Sequence, residues 1–379
     1  KNRNAQKLQG VPGVSYGERF TEDDPSKPKN KVTVLGNPAL SDVKVIMIGV
    51  RNNTGATKEC TVWADELRVT DFDQDGGWAA KANMTLGMSD IATVNAGYHK
   101  ETVGFGSVDQ GLSNRNLDNY QRYNVAVQAD LGRFLPKKVN LKAPVYYSVT
   151  EEQNTPKYNP LDKDVLLDDA LEACATEHQR DSIKSFAVTT KRVESFSISG
   201  LRFDVKSKLP MPWDPANFVF NYSSNKRHNE DPDNEYENTN DYRGSFQYNY
   251  APAFKPFRPF KGLNPKSKSK NVKFLREWEF NWFPQQLSFI TNINRSYYEQ
   301  QTRNETDVDV ELPVSVSKNF LWDRQLSVTW NFTKSLNMSF KSNTTAHIEE
   351  PIGQVNKKLF PDEYREWRDS VWRSITNLG

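Results

Sequence analysis

Long apolar runs are missing from this chain of 379 residues, and none approaches the roughly 20 residues that a membrane-spanning helix needs. A helical membrane protein is thereby excluded, in keeping with a mean hydropathy of −0.77. A membrane β-barrel survives that test, because only every second residue of a strand must be apolar. Cysteine is scarce as well: Cys60 and Cys174 lie far apart, in no metal or redox spacing, and read as free or buried thiols rather than as a disulfide. An excess of one charge is also lacking. Fifty basic residues against 48 acidic ones give a net charge of +2, which points to no nucleic-acid partner and to no anionic surface.

No catalytic constellation is present either. His99, His178, His228 and His347 are scattered over strand ends and loops, with no Ser or Cys in a nucleophile setting beside them. The pairs Asp168-Asp169 and Glu349-Glu350 read as solvated loop charges, so the chain is taken not to be an enzyme and to hold no cofactor. No Met or signal peptide stands at Lys1, and the chain stops at Gly379 just after an apparent helix, so it is read as a segment of something longer.

What is there is alternation. Trp78, Ala80, Ala82, Met84, Leu86 and Met88 alternate with Ala79, Lys81, Asn83, Thr85 and Gly87, the pattern of one strand with an apolar face and a wet face. It returns in Ala92-Val94-Ala96-Tyr98, Tyr123-Val125-Val127-Ala129-Leu131, Leu201-Phe203-Val205, Tyr242-Phe246-Tyr248-Tyr250, Leu287-Phe289-Ile293, Leu326-Val328-Trp330-Phe332 and Leu336-Met338-Phe340. The fold class expected is all-β: a segment of a very large transmembrane antiparallel β-barrel whose apolar face meets lipid and whose polar face, with Asn124, Gln128 and Asp130, lines water.

The organisation expected is an irregular lead-in over 1–30, the end of a small periplasmic β-sandwich over 31–72, barrel strands over 73–345, and an outer loop with an amphipathic helix over 346–379. Long outer loops at 102–120, 151–195, 226–241 and 300–323 alternate with short turns, an order that Greek-key sandwiches do not predict. One inner-side insertion, 251–285, breaks the order; it is rich in Phe, Pro and Lys, and its prolines keep it out of a sheet interior. The spacing of Val165, Leu166, Ala170, Leu171 and Cys174 behind an Asp cap predicts a helix over 162–185, and Pro361-Asp362-Glu363 opens another with Tyr364, Trp367, Val371, Trp372, Ile375 and Leu378 on its stripe.

Asp71-Phe-Asp73-Gln-Asp75-Gly76 matches the front half of a calcium loop, but its twelfth position is Ala82 rather than Glu. Asp71, Asp73 and Asp75 are therefore the metal candidates, weighed against a plain acidic turn. Trp78, Tyr98, Tyr123, Tyr242 and Trp330 stand at strand ends, where a barrel carries its aromatic girdle and a soluble β-protein its core.

The run from Val62 to Ala80, Val-Trp-Ala-Asp-Glu-Leu-Arg-Val-Thr-Asp-Phe-Asp-Gln-Asp-Gly-Gly-Trp-Ala-Ala, resembles the junction in the SprA/Sov family, the giant outer-membrane translocon of the type 9 secretion system. Ile46-Met-Ile-Gly-Val-Arg-Asn52, Tyr158-Asn-Pro-Leu-Asp162, Pro284-Gln-Gln-Leu-Ser-Phe289 and Asn294-Arg-Ser-Tyr297 are similar to that family too, so that the resemblance spans most of residues 32 to 300. It implies a protein-conducting channel in the Gram-negative outer membrane, with periplasmic and cell-surface parts and a link to gliding motility. The partners it implies are secreted substrate proteins, a porin-like shuttle barrel of the PorV kind, a periplasmic plug protein and outer-membrane lipid. Two other readings are a nutrient-uptake outer-membrane barrel with a plug domain and a soluble carbohydrate-binding β-sandwich protein.

Overall fold

The computed structural model describes residues 17–24, 27–36, 43–66, 75–111, 114–136, 138–160, 162–205, 207–208, 210–252, 255–262, 270–304, 311–355 and 361–377. Two compact units are formed, one by 1–81, 99–121 and 153–189, the other by 82–98, 122–152 and 190–379.

The dominant element is an eleven-stranded antiparallel sheet. Its strands are β3 (Ala79–Met88), β4 (Ala92–Glu101), β5 (Asp118–Asp130), β6 (Leu141–Lys142), β7 (Pro144–Pro156), β10 (Thr189–Phe203), β11 (Phe218–Glu230), β12 (Asn234–Tyr250), β13 (Gln286–Thr302), β14 (Ser315–Asn331) and β15 (Asn337–His347). Apart from β6, which pairs β10 off the main path, the spatial order is β15-β14-β13-β12-β11-β10-β7-β5-β4-β3. That is an up-and-down meander. A Greek-key sandwich requires crossovers and a second sheet face to face with the first, and among the described residues the meander has neither. The path ends on β3 and on β15, so no closed barrel is formed among the described residues.

The order of short and long connections differs from expectation. Stretch 226–241, expected as a long loop, is almost entirely strand, with only 231–233 between β11 and β12. Stretch 300–323 likewise gives way to β13 and β14, leaving 303–314. The other two long loops shrink to 102–117 and 157–188. The cause is visible in the side chains. Over 226–241 both faces are polar, so the stretch carries no hydrophobic alternation, yet its strands pair through polar ladders: Asn238 Nδ2 donates to Glu299 Oε1 at 2.8 Å and Gln300 Nε2 to Asn234 Oδ1 at 2.6 Å. The register of β10 is kept by a bulge between Ile198 and Leu201, where Gly200 takes φ +67°, the left-handed conformation that glycine adopts without strain.

In the first unit β1 (Phe20–Asp23) and β2 (Lys31–Val34) form a separate hairpin, and 43–66 has no regular secondary structure. Of the stretch 31–72 expected to close a sandwich, β2 is the one strand among the described residues. The helix expected over 162–185 is divided into β9 (Asp162–Leu166), α1 (Leu167–Glu172) and α2 (Glu177–Ala187); β9 pairs with β8 (Tyr158–Asn159). The break comes where Thr176 caps α2 by accepting from Gln179 N at 3.3 Å, a local signal stronger than the apolar spacing that runs through it. Val165, Leu167, Ala170 and Ala187 make this unit's small core. The second unit also holds α3 (Lys270–Glu277), within the 251–285 insertion, and α4 (Pro361–Asn377), whose proline stands at the first helical position.

Candidate functional site

Strand pairing sorts the side chains of the second unit into rows, because residues opposite each other in an antiparallel pair share a face. On one face the rows Ile198-Tyr222-Gly244-Ile293-Trp322-Ala346, Phe218-Tyr248-Phe289-Leu326 and Tyr250-Leu287-Val328-Phe340 are apolar or aromatic. Tyr250 and Ala346 are buried, but most of these side chains are not a core. Phe220 is 48% exposed, Phe340 50% and Ile293 41%, although each belongs to the apolar face.

The polarity of this same face then changes, in step, on neighbouring strands. The row Phe196-Ser224-Tyr242-Arg295-Phe320 is mixed, and beyond it Glu194-Lys226-Asn240-Tyr297-Lys318 and Arg192-His228-Asn238-Glu299 are polar or charged. Ion pairs tie the charged rows together: Arg192 Nη2 lies 2.5 Å from Glu194 and Arg192 Nη1 3.7 Å from Glu151. The apolar band from Trp322 to Trp330 covers nine residues of β14, about 27 Å along the strand at the usual rise. One charge enters the band, Arg324, whose guanidinium lies 4.6 Å over the Trp322 ring, a cation–π contact that lowers the cost of its position.

The opposite face is predominantly polar, with few apolar side chains, among them Val219, Ile290 and Leu321. Its rows include Asn225-Asp241-Ser296-Asn319, Ser223-Arg243-Asn294 and Asn221-Ser245-Asn292-Asp323-Thr345. Ser296 Oγ donates to Asp241 Oδ1 at 2.7 Å, Thr345 Oγ1 to Asp323 Oδ1 at 2.7 Å, and Thr85 Oγ1 to Asn95 Oδ1 at 2.9 Å. These neutral and paired groups present hydrogen-bonding capacity to water without a strong field of one sign.

The aromatic residues expected at strand ends fall at several levels. Tyr242 lies in the mixed row beside Arg295, and the Tyr123 hydroxyl donates to Glu151 at 2.6 Å. Trp330 is at the other margin, stacked on Phe332 at 3.9 Å with its Nε1–H donated to the Asn281 carbonyl at 2.9 Å. Tyr98 is 43% exposed on β4. In the first unit Lys100 Nζ lies 5.5 Å from the Trp78 ring centre. Of the calcium candidates, Asp71 and Asp73 lie outside the described residues; Asp75 is described, and no cluster able to hold a metal exists among the described residues.

The charged rows and the clamp beyond them escaped the sequence reading. Arg295 binds Glu350 through Nε to Oε1 and Nη2 to Oε2, both at 2.8 Å, and Trp367 Nε1 of α4 donates to Glu350 Oε2 at 2.6 Å. Burial alone would raise the Glu350 carboxyl, yet hydrogen bonds from Arg295 and Trp367 and the Lys318 charge hold it below its ordinary range. The signal available in sequence was parity: Arg295, Tyr297 and Glu299 continue the face of Phe289 and Ile293 in polar form.

No curated protein matches the chain. Residues 1–171 match the SprA_N family, described as a motility related/secretion protein. That match covers just under half of the chain and marks residues 1–171 as similar to a motility- and secretion-related family.

Proposed function

We propose that this chain is part of the wall of an outer-membrane β-barrel that conducts folded substrate proteins from periplasm to cell surface in type 9 secretion. One observation carries the reading: a face that is apolar over about 27 Å of strand turns charged in step on adjacent strands, while the reverse face is predominantly polar. Hydrocarbon against water explains such a change, because a lipid-facing band is bounded by the bilayer. A meander of antiparallel neighbours is also how membrane barrels are built, and a lumen wide enough for protein cargo needs many strands and a hydrophilic lining, with no catalytic group. A porin-like shuttle barrel and a periplasmic plug protein are the partners this reading assigns to its openings.

The test places single cysteines on the two faces of the full chain in cells. A bulky maleimide on Asn292→Cys is expected to block secretion, whereas the same reagent is expected not to reach Phe289→Cys inside the bilayer. Recovery of the protein as a soluble periplasmic monomer would overturn the reading.

A further inference from the structure

The insertion 251–285 concentrates two kinds of side chain that the rest of the second unit keeps apart. Between Lys255 and Glu279 the sequence holds eight basic residues and two acidic ones, in a chain whose charges otherwise nearly cancel. Within the same stretch and just beyond it, large aromatics stay out of any core: Phe274 is 70% exposed, Trp282 64%, Phe283 57% and Phe257 53%.

The insertion is nonetheless fixed in place. Phe257 and Phe280 exchange backbone hydrogen bonds at 2.9 Å, and Arg258 grips Glu279 through Nε at 2.9 Å and Nη2 at 2.7 Å. Asn281 N donates to the Phe332 carbonyl at 2.9 Å and Gln285 N to that of Thr329 at 3.0 Å, so the segment is stitched along the end of β14. Phe280 contacts Trp282 edge-on at 4.7 Å and lies 6.3 Å from Phe332, which stacks on Trp330. The aromatic shelf is thus continuous with the last row of the apolar band, Trp330-Met338.

On α3, Lys270 and Phe274 are one turn apart on a common side, with Lys273 adjacent. An exposed aromatic flanked by lysines at the margin of a lipid-facing band suits the headgroup layer: the ring enters the boundary while the ammonium groups reach back to phosphate oxygens. From the excess of positive charge and this continuity we infer that residues 255–262 and 270–283 form an interfacial anchor that binds the phosphate headgroups of an anionic phospholipid leaflet at the margin of the wall. The inference rests on the membrane-wall reading of the sheet.

The experiment uses the full chain with Cys60 and Cys174 changed to Ser and a bimane label on either Phe274→Cys or Phe340→Cys. Each protein is reconstituted into vesicles of phosphatidylcholine, with or without phosphatidylglycerol, and quenched by lipids spin-labelled near the headgroup or deeper in the chain. The expected result is deep quenching at Phe340→Cys in both vesicles and shallow quenching at Phe274→Cys, several-fold stronger with phosphatidylglycerol. Changing Lys255, Lys261, Lys270 and Lys273 together to Glu is expected to abolish the shallow quenching and leave the deep signal. Quenching at Phe340→Cys without any at Phe274→Cys overturns the anchor and spares the wall. An equal shallow signal with and without phosphatidylglycerol, unmoved by the four reversals, overturns the headgroup assignment. Silence at both positions overturns the wall and the anchor with it.

Discussion

Arg295 and Glu350 form a two-point ion pair in which the glutamate side chain is 2% exposed and the arginine 17%. The pair joins the first charged position beyond the apolar band to the strap that leads into α4, and Trp367 closes it from the helix. Charges taken this far out of water are stable only while every partner is present. Glu350→Gln leaves Arg295 buried without its counter-charge, and the expected cost is about 3 kcal/mol. The loss is read as faster hydrogen exchange over 361–377, with the sheet unchanged.

The same carboxylate sets a pH dependence. Its folded value lies below the ordinary 4.5, so the clamp's contribution is complete above that pH and fades as the pH falls through the lowered value. Protection of α4 is therefore expected to be constant at neutral pH and to collapse in acid before the strands exchange. In Glu350→Gln the acid step disappears.

The two faces of the sheet predict opposite responses to one substitution. Phe289→Lys places a charge in the apolar band and is expected to cost about 2–4 kcal/mol in a bilayer if it lies near the midplane. Asn292→Lys, on the polar face among Ser245 and Asp323, is expected to cost next to nothing. Urea titration of folding in phospholipid vesicles measures both, and equal costs on the two faces would contradict the assignment of lipid to one of them.

These faces were legible in the sequence wherever one was apolar and the other wet. Trp78 to Met88, Ala92 to Tyr98 and Leu336 to Phe340 lie in or beside strands with the alternation that revealed them. Legibility ended where both faces are wet. The run Lys226 to Asp241 has no apolar period, so a strand pair held by polar ladders read as a loop. The clamp was illegible for another reason: Arg295 and Glu350 are 55 residues apart, and nothing local announces that they meet. The charge of the 251–285 insertion was visible in sequence, while its attachment to the end of β14 needed coordinates.

Gly132 sits where two backbones nearly touch. A Cβ there would overlap the Leu141 carbonyl oxygen, and Leu131 N already donates to the Ala143 carbonyl at 3.0 Å. Because the obstacle is backbone, it cannot yield as a flexible side chain would. Gly132→Ala is expected to destabilise the turn over 131–143 by about 2 kcal/mol, seen as a lowered midpoint in denaturant, whereas Gly244→Ala, with open space around its Cβ, is expected to leave it unchanged.

The tall hairpin of β11 and β12 depends on its turn in a way that isolates polar from apolar stabilisation. Asp231 Oδ1 accepts from Asp233 N at 3.0 Å and from Asn234 N at 2.7 Å, with Pro232 at the position where its fixed φ suits the turn. Next to it, His228 Nδ1 contacts Asn238 Oδ1 at 2.6 Å and Nε2 contacts Glu230 Oε1 at 2.9 Å, so the ladder begins as soon as the turn ends. Asp231→Ala removes the bonds from Asp233 N and Asn234 N together with those from the side-chain amides of Asn229 and Asn234, a net loss of about 1–2 kcal/mol. Because no apolar band reinforces this end, the loss is expected to stay local: amides over 226–240 exchange faster while those of 244–250, where Phe246 and Tyr248 pack against Phe218 and Phe220, keep their protection. Uniform acceleration along both strands would mean that the hairpin opens as one unit and that the polar rows have no stability of their own.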